Sequence, residues 1–317
     1  MKKTMRVIAC LLVAVLMLTV FAACDWEGGG MKLTEEEWNS AFEAAKKWEN
    51  YNLTFRLDLN KNYEIDEKHG IFNSGDFFMS ETMQFILDRA NPDGARMHSN
   101  MGSSYVDDEG TWVDDGYRRY DALEKGKLFS YYEIDDHLVK SEAYVSEGKT
   151  PSTQFDSYVQ TLEDFLPWFV FTADGKTLQL DELNTVLKYS KDSHEYEGKL
   201  GFELKPNGDD ESIEGENPFK TDSATVAMGV CNTKYNAEYE TYERSNELPE
   251  DWSKWEGEIY LYLKFETEYM GEKVLCTVEL RYEWIHYSVN LPEYIYKLIY
   301  EDGERRYESY KNVLGQV

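Results

Sequence analysis

The stretch Asp58-Leu59-Asn60-Lys61-Asn62-Tyr63-Glu64-Ile65-Asp66-Glu67-Lys68-His69 comes nearest to placing side chains for a chemistry. Asp58, Asn60 and Asn62 stand at the first, third and fifth positions of a calcium-binding loop, with Ile65 at the eighth. That spacing holds an ion because a tight turn swings alternate oxygens inward. Tyr63 occupies the position the turn reserves for glycine, and His69 the one reserved for a bidentate glutamate. No metal site is therefore expected, and Asp58, Asn60 and Asn62 are the residues nearest to one. Ser146 and Lys149 have the S-x-x-K spacing that sets a nucleophilic serine beside its lysine on a helix, but Gly148 opposes a helix there. His69, His98, His137, His194 and His286 are scattered, with no H-E-x-x-H pair to hold zinc. Neither a G-x-S-x-G elbow nor a phosphate-cradling glycine loop occurs. The 61 Asp and Glu residues make adjacent carboxylates unavoidable, so they neither support nor exclude glycoside hydrolysis. The chain is expected not to be an enzyme and to need no cofactor. Trp252, Trp255, Tyr260 and Tyr262 carry faces that could stack on sugar rings, although packing accounts for strand tyrosines equally well.

The elements that would position these residues follow from periodicity. Thr34 followed by Glu37 is a capping box, in which a hydroxyl and a carboxylate satisfy amides reciprocally. Trp38, Ala41, Phe42, Ala45 and Trp48 then mark one stripe of an amphipathic helix over 34–49. The period changes at once to alternation, with Tyr51, Leu53, Phe55, Leu57 and Leu59 on one face of a strand. From 70 to 148 the chain reads as short strands, with turns at Asp108-Glu109-Gly110 and Asp115-Gly116. Tyr131 and Tyr132 point to opposite faces of theirs. A second helix is predicted over 153–166, with Phe155, Val159, Leu162 and Leu166 on one face and Pro167 ending it. A further short helix covers 181–187, and the acidic loop from 207 to 217 must be solvated. The clearest hairpin sets Ile259, Leu261, Leu263 and Phe265 against Val274, Cys276, Val278, Leu280, Tyr282 and Trp284, with Met270-Gly271-Glu272 turning between them. Strands and helices do not alternate, which excludes a doubly wound sheet. The expected fold class is α+β: a curved, mainly antiparallel, half-barrel-like β-sheet with two or three helices packed on its apolar face.

The N-terminus supplies an address. Lys2, Lys3 and Arg6 precede an uncharged apolar run from Val7 to Ala23, the layout of an export signal. The run is short for a membrane span, which needs about 20 apolar residues. Ordinary cleavage after Ala23 would place Phe21 where a small residue is needed. Phe21-Ala22-Ala23-Cys24 instead resembles the lipobox of bacterial lipoproteins, with Phe in place of the more usual Leu. The resemblance implies that Cys24 becomes the first mature residue and carries a diacylglyceryl group, two acyl chains being enough for stable anchoring. An uncleaved apolar anchor is the alternative and gives the same topology. The expected organisation is a signal peptide over 1–23, a lipidated cysteine and flexible glycine tether over 24–30, and one extracellular α+β domain over 31–317. The location is the extracytoplasmic face of the cell membrane, held by lipid.

Removing the three basic residues of the signal takes the net charge from −28 to near −31. Such a surface repels phosphate backbones, so nucleic acid is excluded as a partner. Of four cysteines, Cys231 and Cys276 remain in the folded part. An oxidising exterior permits a bridge, but Cys276 falls among core positions, which favours two buried thiols.

The order of parts resembles a lipoprotein class of Gram-positive surfaces. A helix runs straight into a long strand (TEEEWNSAFEA into YNLTFRLDL), and aromatic strands follow (GTWVDDGYRRY, FSYYE). A helix then leads into a Phe-rich strand (FDSYVQTLEDFLPWFVF), and the late pair ends before proline (YSVNLPE). Those proteins are similar to LolA/LolB-like half-barrels, in which a curved sheet wraps helices around an apolar groove. The resemblance implies a lipid or lipoprotein ligand and no residue-level site. The expected function is a membrane-anchored, non-enzymatic lipoprotein that binds an apolar or amphipathic ligand. The alternative is a surface adhesion module for glycan or protein, or an accessory envelope protein with no small ligand.

Overall fold

A computed structural model describes residues 30–66, 71–73, 76–107, 110–134, 137–206, 217–236, 241–291, 294–301 and 304–311. The apolar N-terminal run, Cys24, His69 and most of the acidic 207–217 loop lie outside the described residues. The first described residues, Gly30 and Met31, are both buried, and the Met31 amide donates to the Val230 carbonyl at 2.7 Å. The last glycine of the expected tether is thus part of the fold.

Helix α1 (Glu35–Ala45) starts where the sequence predicts. Glu37 N–H donates to Thr34 Oγ1 at 3.3 Å, and Thr34 N–H to Glu37 Oε2 at 2.7 Å. Three glutamates in the first turn complement the positive end of the helix dipole. The helix stops at Ala45, short of Trp48, because the chain must already turn into the next strand. Its buried stripe is Trp38, Ala41, Phe42 and Ala45.

Among the described residues eighteen strands follow: β1 (Asn50–Lys61), β2 (Glu64–Asp66), β3 (Ile71–Asn73), β4 (Asp76–Asp88), β5 (Arg96–Val106), β6 (Trp112–Glu124), β7 (Lys127–Ile134), β8 (His137–Glu142), β9 (Phe169–Ala173), β10 (Lys176–Leu178), β11 (Lys188–Ser190), β12 (Glu195–Leu204), β13 (Lys220–Asn236), β14 (Thr241–Ser245), β15 (Gly257–Tyr269), β16 (Glu272–Trp284), β17 (Tyr294–Glu301) and β18 (Glu304–Lys311). All but β2 and β3 join one curved, mainly antiparallel sheet, in the order β10-β9-β12-β13-β15-β16-β1-β4-β5-β6-β7-β8-β17-β18, with β11 on β12 and β14 on β13. The β17–β8 pairing is parallel. The curved, mainly antiparallel sheet is as the sequence patterning predicts, but the helices are few, and shorter than those of the expected α+β fold.

β1 lies between β16 and β4, and Leu53 sits opposite both Tyr282 and Phe85. Its alternation holds from Tyr51 to Leu59: Tyr51, Leu53, Phe55, Leu57 and Leu59 are buried, and Asn52, Thr54, Arg56 and Asp58 are half-exposed. The β15–β16 hairpin closes through Met270 and Gly271, both at positive φ, the two-residue turn whose twist matches the strands.

Two sequence expectations fail here. Asp115-Gly116 is not a turn: both lie inside β6, and Gly116 pairs with Gly102 of β5. The turn falls instead at Lys125-Gly126, with φ of 49° and 79°. The predicted 153–166 helix is broken into α2 (Pro151–Asp156) and α3 (Leu162–Phe165). A second capping motif divides it: Thr161 N–H donates to Asp164 Oδ2 at 2.7 Å, as an N-terminus requires. Phe155 and Leu162 are nevertheless both fully buried, so the expected face survives the break.

Gly229 of β13 is opposite Tyr260 of β15, and the hydroxyl end of the tyrosine ring covers the glycine. A Cβ at Gly229 would overlap the ring. Gly229→Ala is expected to cost about 1–3 kcal/mol through forced overpacking, read as a lowered urea midpoint. The double variant Gly229→Ala with Tyr260→Leu should recover part of that loss, since the two changes share one contact.

Candidate functional site

A groove opens where β4, β5 and β6 face the α2–α3 segment. Alternation places Met83 and Phe85 of β4, Met97, Ser99 and Met101 of β5, and Tyr117, Arg119 and Asp121 of β6 on one face. The register makes neighbours of Met83 and Met101, Ser99 and Arg119, and Met97 and Asp121. Ser157, Tyr158, Gln160, Phe165 and Trp168 close the other side, around a cavity of about 400 Å³. Small-molecule sites commonly span about 300–1,000 Å³ and are mostly apolar with a few placed polar groups. Met101 and Tyr117 form an open rim, at 38% and 42% exposure.

The helical wall is held by specific bonds. Tyr51 Oη donates to the Gln160 carbonyl at 2.6 Å, and Arg89 pairs with Asp156 at 2.7 Å. The Phe165 ring stacks obliquely on Trp168, with centroids 4.4 Å apart, and meets Phe85 edge-on at 6.0 Å. Three methionines on the sheet side give a wall that reshapes around irregular apolar guests.

One end is polar. Arg119 Nη2 donates to Asp121 Oδ1 at 2.8 Å and to Ser130 Oγ at 3.2 Å, while Ser130 donates to the same Asp121 oxygen at 2.5 Å. The guanidinium also lies 4.7 Å from the centroid of the Tyr158 ring. Asp121 is fully buried. Its Oδ2 stands 2.8 Å from Arg119 Nε without the alignment of a hydrogen bond. Burial alone would lower the Arg119 pKa, but hydrogen bonding and charge from Asp121 outweigh it and hold the side chain cationic. The arrangement can donate hydrogen bonds to a polar group at one end of an apolar guest.

A different polar cluster lies across the β13–β15–β16 part of the sheet. Buried Glu258 accepts from Arg244 Nε and Nη2 at 2.7 and 2.6 Å and from Arg281 Nε at 2.8 Å. Cys231 Sγ is 3.7 Å from the same carboxylate. Burial, followed by the Glu258 charge, pushes the Cys231 thiol well up, and burial does the same to Cys276. Both cysteines are free and buried, hence poor nucleophiles.

The calcium-like spacing does not converge on a point. Asp58 and Asn60 are in extended β1. Asp58 binds Arg56 at 2.9 Å and Ser80 Oγ at 2.6 Å, and the Asn62 amide donates to Asp76 at 2.7 Å. Leu59 and Asn60 are both buried at a register shift, which breaks the alternation the spacing relied on. Among the described residues no three His, Cys, Asp or Glu side chains cluster as metal ligands. Ser146 lies outside any helix: its amide donates to Gln154 Oε1 at 3.1 Å, and Lys149 N–H donates to its carbonyl in a turn. Of the aromatics considered for sugar stacking, Trp255 and Tyr260 are buried and Trp252 and Tyr262 half-buried, so they form no open platform. Tyr131 is buried and donates to Glu124, while Tyr132 on the opposite face is half-exposed.

The groove residues themselves were not singled out by sequence, which gives no register for β4, β5 and β6. The one available signal was Met83, Met97 and Met101 recurring at same-face parity near Arg119. No helix among the described residues is long and apolar enough to cross a membrane. No protein-family description matches the chain, and no curated protein matches it. A beta-barrel-like protein of a domain of unknown function from Brucella abortus aligns over 74% of this chain and 95% of its own, at 12% identity and a TM-score of 0.11.

Proposed function

We propose that this chain is a non-enzymatic lipoprotein, anchored through lipid on Cys24 at the extracytoplasmic face of a membrane, that binds an amphipathic ligand in its groove. In this reading the curved sheet acts as a half-barrel and the helices cover its apolar face. The observation that carries it is the cavity of about 400 Å³, apolar along most of its wall and polar at the Arg119 end. The address rests on the charged start, the apolar run and the cysteine after two alanines.

Native mass spectrometry of residues 31–317, exposed to an envelope lipid extract, tests the binding reading. A stoichiometric adduct released as a lipid is the expected result. A bare mass, under conditions that preserve a control lipid complex, would remove the ligand from the proposal. Globomycin-sensitive processing of the full chain, together with labelling by a palmitate analogue that is lost in Cys24→Ser, tests the anchor separately.

A second reading has its own observation. Phe77 and Trp112 are exposed at 40% and 44% and meet edge-on at 5.6 Å, and Tyr105 nearby is exposed at 41%. Exposed aromatics at strand ends suit an adhesion surface. Binding to a polysaccharide array that disappears in Trp112→Ala would favour it.

A further inference from the structure

We infer that the polar end of the groove selects an uncharged acyl ester or amide, a glyceride-type amphiphile, over a free carboxylate. The inference rests on the binding reading above and adds the chemistry of the head group.

Three observations carry it. First, Ser99 is buried at 5% exposure, lines the cavity and makes no side-chain hydrogen bond among the described residues. Its Oγ is not among the fully sequestered unpaired atoms, so the hydroxyl faces the groove and is open to an acceptor there. Second, Ser99 is the direct cross-strand partner of Arg119, so the two side chains stand side by side on the groove face. Arg119 is clamped by Asp121 and Ser130 on one side and by the Tyr158 ring, which fixes its orientation before any ligand arrives. Nη2 serves Asp121 and Ser130 and Nε faces Asp121, so Nη1 is the nitrogen left for an acceptor, shared with the neighbouring Tyr117 hydroxyl. The Gln160 side-chain amide, also on the cavity wall, is likewise without a partner among the described residues.

Third, the charge of Arg119 is already matched. Asp121 is a fully buried counter-ion, so the pair presents hydrogen-bond donors with little net positive field. The whole chain carries −28. A free carboxylate entering here would lose its hydration and gain no uncompensated cation in return. A neutral carbonyl loses far less on desolvation and accepts the same donors. In the bound state the ester carbonyl accepts from Ser99 Oγ and Arg119, hydroxyls of the head group reach Gln160, and the acyl chain runs along Met83, Phe85 and Phe165.

The test is equilibrium binding of radiolabelled probes to the full chain, held on an affinity support and washed free of detergent. The probes are monolauroylglycerol, laurate and dodecyltrimethylammonium, at a pH where laurate is ionised. Monolauroylglycerol is expected to bind about tenfold or more tighter than laurate, which corresponds to about 1.4 kcal/mol. Ser99→Ala should weaken monolauroylglycerol several-fold and leave laurate unchanged. Arg119→Met alone would strand Asp121 in the interior, so the paired variant Arg119→Met with Asp121→Asn is the one to use. It should erase the preference while the apolar chain still binds. Laurate binding as tightly as the glyceride, or a preference that survives both variants, overturns the head-group assignment. If none of the three probes binds, the amphiphile reading itself fails.

Discussion

Replacing Glu258 by Gln is expected to lower unfolding free energy by about 3–5 kcal/mol at neutral pH, the loss typical when one member of a buried ionic network is removed. Glu258 is 2% exposed and takes three charge-assisted hydrogen bonds from Arg244 and Arg281. Gln cannot neutralise two guanidinium groups, and each is left partly desolvated beside the other. Equilibrium urea unfolding should show a lower midpoint at an unchanged slope. Replacing Arg244, Glu258 and Arg281 together by Met, Leu and Met should cost much less, because no charge is then stranded. The pH dependence has a definite sign. Burial pushes the Glu258 carboxyl up, but Arg281 and Arg244 together outweigh that and hold it below the ordinary 4.5. Its contribution is therefore present above that value and is lost as pH falls through the depressed folded value. Glu279 and Glu283 lie nearby with the opposite bias, since burial raises both above the ordinary value. Their titration favours the fold as pH drops, and the Glu258 charge adds to the rise of both, so the variant carries less of this effect. The stability difference between wild type and Glu258→Gln should hence shrink toward zero in acid. A difference that persists there would mean that shape, not charge, is what Gln disturbs.

The second large effect is expected at Trp38. Trp38→Ala should cost about 3–5 kcal/mol, the range for deleting a fully buried aromatic side chain. The indole is wholly buried, meets Tyr196 edge-on at 5.0 Å, and donates through Nε1 to the Asp181 carbonyl at 2.6 Å. It thereby ties α1 to two distant parts of the chain. Tyr196 in turn both accepts from the Leu33 amide and donates to the Leu33 carbonyl, at 2.8 and 2.9 Å. Loosening Trp38 should also free the residues that lead into α1. Hydrogen exchange would show this as lost protection at Met31 and Leu33, beyond the change in global stability. Trp38→Phe keeps most of the packing and loses the indole hydrogen bond, so about 1 kcal/mol is expected for it beyond the volume change.

How far the sequence was legible depended on whether a signal was local. β1 and the β15–β16 hairpin were read correctly because one face is core and the other is wet, which writes a period of two directly into the residues. The start of α1 was readable from Thr34 and Glu37 alone. The 153–166 segment misled because its apolar spacing continues through a break that only Thr161 and Asp164 mark. Gly116 misled because Asp-Gly is a common turn pair, whereas here a facing glycine, Gly102, lets two strands pass without side chains. The groove was out of reach for a different reason. Ser99, Arg119 and Asp121 become neighbours through the register of β5 and β6, and no residue type in those strands announces that register. The expectation of a groove between helices and sheet came from the order of parts, not from any of the residues that line it.

The place of β1 in the sheet also sets the order in which the chain can become native. One edge of β1 is satisfied by β4, close by in sequence, but the other waits for β16, from Tyr51 opposite Trp284 through Asn60 opposite Leu275. A polypeptide delivered from its N-terminus therefore holds an unpaired, half-apolar strand edge until nearly the whole chain has emerged. Such an edge invites pairing with other chains. Joining ends so distant in sequence is slow, because loop-closure entropy must be spent first. Folding of this protein should accordingly be concentration-sensitive, with aggregation competing until β16 docks. Truncation just before Glu272 would leave a product that never escapes that state.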